Sequence, residues 1–380
     1  MLDLIKTALW DYPTTVAKKE DYEELINHSI LLLTAPVYKS FQLSPELHQL
    51  WNMAILQQIA FNVKYKHIQE SLPITVPYVI LKGTSAAQYY PNPLYRLMGD
   101  IDIMTNRGED FDVTCDSLSQ AGYKVVKNLD REVGYIKNGI IVEVHRYFAS
   151  LNDAVKAKYM DDLIIENINS THVLPDLING LVLLEHISQH MENGLGLRQI
   201  IDWMMFVDKC LPDEKWPEFQ ILAKNIGLET LAIVVTRMCE IYLGLPERNW
   251  CKTANEEMCN RLINYVLACG NFGIKKINDS DISEYVFSKA RSPKEAIKLL
   301  QHRGIVNWKV AKKYSILRPF AWLYQAGRYL RRGLNRENAI SELKEEYAKA
   351  KKRNEMLDAL GVKQRAKGLV VYKNGEYVKE

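Results

Sequence analysis

Apolar residues recur at helical spacing through most of the first 72 positions, then shift to short alternating runs between Tyr78 and His145. From about residue 155 the helical spacing returns. In the first stretch, Tyr22–Leu33 is a helix candidate that turns at Ala35-Pro36. A longer helix is expected from Ser44 to Ser71, where Leu47, Leu50, Trp51, Ala54, Ile55, Gln58, Ile59 and Phe61 give it an apolar side. Ser44 is a good N-cap, Pro45 suits the first helical position, and Pro73 and Pro77 end the region.

The middle stretch predicts a compact α/β unit. Tyr78–Leu81 reads as a buried strand, Gly83 as a turn, and Ser85–Tyr90 as a short helix ended by Pro91 and Pro93. Asp100–Met104 alternates polar and apolar residues like a strand with one buried face, and Glu109–Ala121 is a helix stopped at Gly122. Tyr123–Val126 is a further strand. Val133–Ile136 and Ile140–His145 form a hairpin across Lys137-Asn138-Gly139, because Asn-Gly between apolar runs favours a tight turn. The strands lack regular helical crossovers between them, which favours a mixed sheet.

Beyond it, helices are expected at Leu177–Met191, Leu197–Val207, Leu228–Leu243, Asn255–Ala268, Pro293–Gln301 and Tyr314–Arg332. Ala339–Leu360 reads as a charged, exposed helix, and the tail around Asn374-Gly375 as a second hairpin. Four regions follow: helices over 1–74, an α/β core over 75–152, helices over 153–365 and a hairpin tail over 366–380.

Composition narrows the class. With 47% hydrophobic and 25% charged residues in 380, the chain has the make-up of a soluble globular protein. A net charge of +3 does not by itself imply a nucleic-acid partner. The six cysteines show no metal-ligand or redox spacing and read as reduced thiols. Met1–Trp10 mixes Asp3 and Lys6 among apolar residues, unlike a secretory leader, and no run reaches the roughly 18 apolar residues of a membrane span. A cytoplasmic protein without a transmembrane segment is expected.

The chemistry concentrates between Tyr78 and His145. In a strand, residues two apart share a face, so Asp100 pairs with Asp102 and Glu143 with His145. Carboxylates crowded on one face repel, and a cation relieves them. Mg²⁺ fits, because it takes carboxylate and phosphate oxygens together. Glu143, from a neighbouring strand, would complete a two-metal site or take a proton from an attacking hydroxyl. Upstream, Gly83 lets backbone approach a phosphate, and Thr84 and Ser85 offer amides and hydroxyls at a helix start. Lys82 and Arg96 are candidate countercharges for a triphosphate, with Arg96 alternatively a structural ion-pair partner of Asp100 or Asp102.

Gly83-Thr84 after an apolar strand, Asp100-Ile-Asp102, then Val142-Glu143-Val144 resembles the DNA polymerase β-like nucleotidyltransferase superfamily in order and spacing. More narrowly, Leu81-Lys-Gly83, Tyr89-Tyr-Pro-Asn-Pro93 and Arg96-Leu-Met-Gly-Asp-Ile-Asp102 look like a bacterial family of uncharacterised nucleotidyltransferases with helical flanks. The resemblance implies an α+β fold with a small mixed β-sheet nucleotidyltransferase core flanked by N- and C-terminal helical regions. It also implies Mg²⁺-dependent transfer of a nucleoside monophosphate from an NTP such as ATP to an acceptor hydroxyl, with release of pyrophosphate. Gly83, Thr84, Ser85, Asp100, Asp102 and Glu143 take their roles from the motif positions. The chain departs from the pattern in having Thr84 where Ser or Gly is usual, with Ser85 one place later.

Other signals leave alternatives open. His186 and His190 lie four apart on one helical face, as a zinc pair would, but without the H-E-x-x-H order. Arg198 and Asp202 read first as a helix-face ion pair. Between Arg303 and Arg332 eight Lys and Arg residues alternate with aromatics and no acid intervenes. That interval suits a nucleic acid, a phosphate-rich acceptor or an anionic membrane surface. Pro319 within it and the acidic partners of the next charged helix favour instead an amphipathic helix whose basic side chains reach water. Three functions compete: transfer to a small-molecule or protein acceptor, transfer directed to nucleic acid through Arg303–Arg332, and a non-catalytic, antitoxin-like protein-binding module.

Overall fold

The computed structural model describes residues 1–13, 16–151, 153–191, 194–274, 293–333, 351–362, 370–373 and 376–379. It falls into two compact units, Met1–Lys276 with Val370–Glu380, and Ile277–Leu369. The architecture is α+β, with helices flanking a small mixed sheet, as the sequence predicts.

The first unit begins with helices α1 (Leu2–Trp10), α2 (Lys19–Asn27) and α3 (Pro45–Glu70). The Tyr22–Leu33 candidate stops early: after α2 the chain makes a tight turn and a 3₁₀ segment, Leu31–Thr34, whose residues are all buried. A short buried apolar run of this kind carries no period that separates a 3₁₀ turn from an α-helix. The start of α3 is as expected, with the Ser44 hydroxyl accepting from the Leu47 amide at 3.3 Å and Pro45 in the first turn.

The sheet strands are β1 (Tyr78–Leu81), β2 (Ile101–Thr105), β3 (Lys124–Leu129), β4 (Glu132–Lys137) and β5 (Ile140–His145), in spatial order β1-β2-β5-β4-β3. Only β2 and β5 run parallel, and the other neighbours are antiparallel. The β4–β5 turn holds Asn138 at φ 52° and Gly139 at φ 77°, the backbone that Asn-Gly adopts most readily. One sheet face carries Ile101, Ile103, Val142 and Val144, packed with Tyr65 and Ile68 of α3 and Phe111 and Leu118 of α5 (Glu109–Gln120). By strand alternation the opposite face receives Asp102, Glu143 and His145.

Between β1 and β2 lies a one-turn helix, α4 (Gly83–Ala87), shorter than the expected Ser85–Tyr90 and displaced toward the strand. After the sheet come α6 (Ala154–Glu166), α7 (Asp176–His190), α8 (Leu197–Cys210), α9 (Trp216–Ile226), α10 (Glu229–Leu243) and α11 (Glu256–Cys269). Every residue from Leu197 to Val207 of α8 is buried, so this helix is central and its polar residues must find partners inside. Asn179 of α7 donates to the Ser85 carbonyl and to the Tyr89 hydroxyl, both at 2.9 Å, tying α7 to the α4 turn. All six cysteines are free thiols.

In the second unit, Pro293–Asn307 and Ala321–Gly333 pack as a helical pair. Gly304 permits the crossing, since a Cβ there would lie 2.0 Å from the Ala321 carbonyl oxygen. The expected single helix Tyr314–Arg332 is divided, because Ser315–Phe320 is 3₁₀ and contains Pro319. Of the charged helix expected at Ala339–Leu360, residues 351–359 are helical and the part before them lies outside the described residues. The tail strands Val370–Lys373 and Glu376–Lys379 pair antiparallel. Among the described residues no helix is long and apolar enough to cross a membrane.

Candidate active site

The parallel pairing of β2 with β5 builds the site. It sets Asp102 directly opposite Glu143 and Met104 opposite His145, while β1 places Leu81 beside Asp102 on the other flank. The Asp102 carboxylate is 1% exposed, so its charge must be met from within. Lys82 Nζ reaches Asp102 Oδ1 at 2.8 Å, and His145 Nε2 lies 2.8 Å from the same oxygen. Burial works against ionising Asp102, but Lys82 and His145 outweigh it and hold the carboxyl below its usual range.

The network continues along the sheet. His145 Nδ1 approaches Glu132 Oε2 at 3.1 Å, and Lys127 links the Glu132 and Glu143 carboxylates, reaching Glu143 at 3.2 Å. Gly134 lies between these strands, and a Cβ placed there would stand 3.1 Å from Lys127 Cβ, a tight fit. Glu143 is raised above the ordinary carboxylate range, first by burial and then by Asp102, Glu132 and Asp100. A carboxylate shifted in that direction suits a proton acceptor near neutral pH. Asp100, Asp102, Glu132 and Glu143 face three side-chain cations, Lys82, Lys127 and Arg131, and the His145 imidazole, so at most one negative charge is left over, and only while that imidazole is neutral.

The donors fit a divalent cation. Asp102, Glu143 and His145 each present a ligand atom, all within 4.8 Å of one another. Asp100 is not in that group: β2 begins at Ile101, so Asp100 stands half-buried at the strand's mouth, its carbonyl accepting from the Tyr65 hydroxyl at 3.2 Å. Its charge is nevertheless felt at Lys82 and Glu143.

The turn after β1 is held tightly. Lys82 and Gly83 have φ of 56° and 42°, and a Cβ on Gly83 would lie 2.6 Å from the Tyr65 hydroxyl. Only glycine meets both demands at position 83. Thr84 donates its hydroxyl to Gln69 Oε1 at 2.9 Å and Ser85 to the Ile80 carbonyl at 2.7 Å. Both hydroxyls, expected to face a phosphate, donate to the fold instead.

Arg96 is also placed differently from either expectation. Its guanidinium is buried and bidentate on Asp202 of α8, with Nε–Oδ1 at 2.7 Å and Nη2–Oδ2 at 2.6 Å. Tyr90 donates to Asp202 Oδ1 at 2.7 Å. Asp202 is thereby taken up by Arg96, not by Arg198 as helix spacing suggested. Arg198 instead lies against Gly99, with Nη1 3.5 Å from the position of a Cβ there. His186 and His190 contact each other, Nε2 to Nε2 at 2.8 Å, and among the described residues the one three-donor cluster does not include them.

Sequence reasoning missed Lys127 and Glu132. Glu132 could have been found, since counting back from the Asn138-Gly139 turn places it opposite His145. Lys127 could not, because β3 meets β4 through an irregular register between Val125 and Lys127.

A family model described as uncharacterised nucleotidyltransferase matches residues 7–244. Comparisons with curated proteins and with solved structures gave no match.

Proposed function

Because the chain belongs to this family of uncharacterised nucleotidyltransferases, we propose that it moves a nucleoside monophosphate from an NTP to an acceptor hydroxyl on a DNA polymerase β-like core. The acceptor oxygen bonds to the α-phosphorus, the bond to the bridging oxygen breaks, and pyrophosphate leaves. The observation that carries this reading is the β2–β5 pairing, which sets Asp102 beside Glu143, with Lys82 at the head of α4 2.8 Å from Asp102.

Asp100, Asp102 and Glu143 would hold divalent cations, Mg²⁺ in the simplest case. When bound, they would neutralise charge on the attacking and leaving oxygens. Glu143 accepts the hydroxyl proton, a role that can coincide with holding a cation. Backbone amides of Gly83, Thr84 and Ser85 receive the phosphates, and Lys82 supplies a mobile countercharge. Arg96 acts at one remove, fixing the Arg96–Gly99 approach to β2 against α8 through Asp202. A small-molecule or protein acceptor would be chosen by the helices after residue 155, and an NTP donor together with free thiols suits a cytoplasmic setting.

The test is product analysis by mass spectrometry after incubation with each NTP, Mg²⁺ and a cell extract. Asp102→Asn is expected to lower transfer by at least about 10²-fold, the scale of losing one charge-stabilising group. Equal transfer by wild type and variant would remove the proposal.

A further inference from the structure

We infer that His145 is a nitrogen donor to the cation held by Asp102 and Glu143, and that this position therefore prefers a transition-metal ion such as Mn²⁺ over Mg²⁺. The inference rests on the metal-dependent reading above and deepens it by naming the class of ion.

Three observations carry it. First, His145 Nε2 points at the carboxylate pair, 2.8 Å from Asp102 Oδ1 and 4.0 Å from Glu143 Oε2. Its ring is buried and edge-on to Phe148, at 6.2 Å between centroids, which limits its rotation. Second, Nδ1 faces Glu132 Oε2 at 3.1 Å. The approach is poorly aligned for a hydrogen bond, so Glu132 acts chiefly through its charge. With Glu132 at Nδ1, Nε2 is the ring nitrogen turned toward the carboxylate pair, and a cation bound there would replace its hydrogen bond to Asp102. A carboxylate behind the far nitrogen of a histidine is the usual support of a metal-ligating imidazole. Third, Glu132 is itself fixed, opposite His145 in the β4–β5 register and bound by Lys127.

The donor set then decides the ion. Mg²⁺ is hard, favours oxygen and keeps several waters, whereas imidazole nitrogen suits first-row transition metals. Two carboxylate oxygens with one nitrogen give Mn²⁺ a ligand that Mg²⁺ uses poorly. Lys82 contends for the same Asp102 oxygen, so the ion must displace its ammonium. That competition lowers affinity for either ion and leaves the preference between them to His145.

Direct binding tests this without recourse to turnover. Metal-free protein is titrated with Mn²⁺, following the free ion by electron paramagnetic resonance, and Mg²⁺ is then added as competitor. Wild type is expected to bind Mn²⁺ at least about tenfold tighter than Mg²⁺, and His145→Ala to lose that preference while keeping Mg²⁺ affinity. Electron spin-echo spectra of Mn²⁺-loaded wild type should show coupling to an imidazole nitrogen, which needs no variant to fold. Absence of that coupling, absence of Mn²⁺ binding, or an unchanged ion ratio in a folded His145→Ala protein each overturns the inference. A protein that shows nitrogen coupling but transfers no nucleotide would sink the proposed activity alone. One that transfers nucleotide without the coupling would sink only the role of His145.

Discussion

His186 shows how one buried side chain ties stability to pH. Burial first, then His190 and the positive charges of Lys82, Arg198 and Arg96, push its pKa well below the usual 6.5. The folded protein therefore holds it neutral, while the unfolded chain takes up a proton near its ordinary value. Stability from this residue is fully present above pH 6.5 and declines as pH falls below it. The decline should be about 1.4 kcal/mol per pH unit until the folded form also protonates. Urea unfolding at pH 7.5, 6.5 and 5.5, points spanning roughly one unit each side of the ordinary value, should show a shallower slope for His186→Gln than for wild type. Equal slopes would mean that other groups carry the acid sensitivity. Gly180 gives a second check at this scale. A Cβ there would lie 2.1 Å from Phe206 Cζ, so Gly180→Ala should cost about 1–3 kcal/mol through overpacking, read as a lowered urea midpoint.

Elements meet the site through the Arg96–Asp202 pair, which joins the segment before β2 to α8. Both partners are almost wholly buried, so removing one strands the other's charge. Asp202→Asn should destabilise the protein by about 3–5 kcal/mol in chemical denaturation. Asp102→Asn should cost less, because Lys82 can turn partly toward water, being 12% exposed. A reversed order would show that β2 depends on its own network more than on α8. The same pair marks how far the elements could be read from sequence. Local chemistry was legible: the Ser44 cap, the Asn-Gly turn and the alternation that puts Asp102 and Glu143 on polar faces all follow from short-range rules. Partnerships between distant elements were not. Helix spacing proposes Arg198 for Asp202, but burial of the whole of α8 lets Arg96, 106 positions away, claim it. The hydroxyls of Thr84 and Ser85 likewise looked like phosphate ligands until Gln69 and Ile80 came within reach.

At the scale of the whole molecule, the family match ends at residue 244, well short of the second unit. The basic interval Arg303–Arg332 lies in that second unit, outside the matched residues. Within it Trp308 and Tyr324 stack at 5.0 Å, while Tyr314, Ile316, Phe320 and Leu323 are exposed. Retention of a polynucleotide through this surface should weaken steeply with salt, and Arg331→Glu should reduce the slope. Retention indifferent to both would leave the interval a structural one. The β2–β5 pairing has a kinetic consequence as well. Asp102 and Glu143 are distant along the chain and become neighbours only when the single parallel contact of the sheet closes. Such a non-local contact has a high loop-closure cost and tends to form late in folding. The ion would then find its donors only after the rate-limiting step, so Mn²⁺ should slow unfolding while leaving the refolding rate almost unchanged. Stopped-flow refolding and unfolding with and without the ion would show whether the acidic pair is the last part of the sheet to assemble.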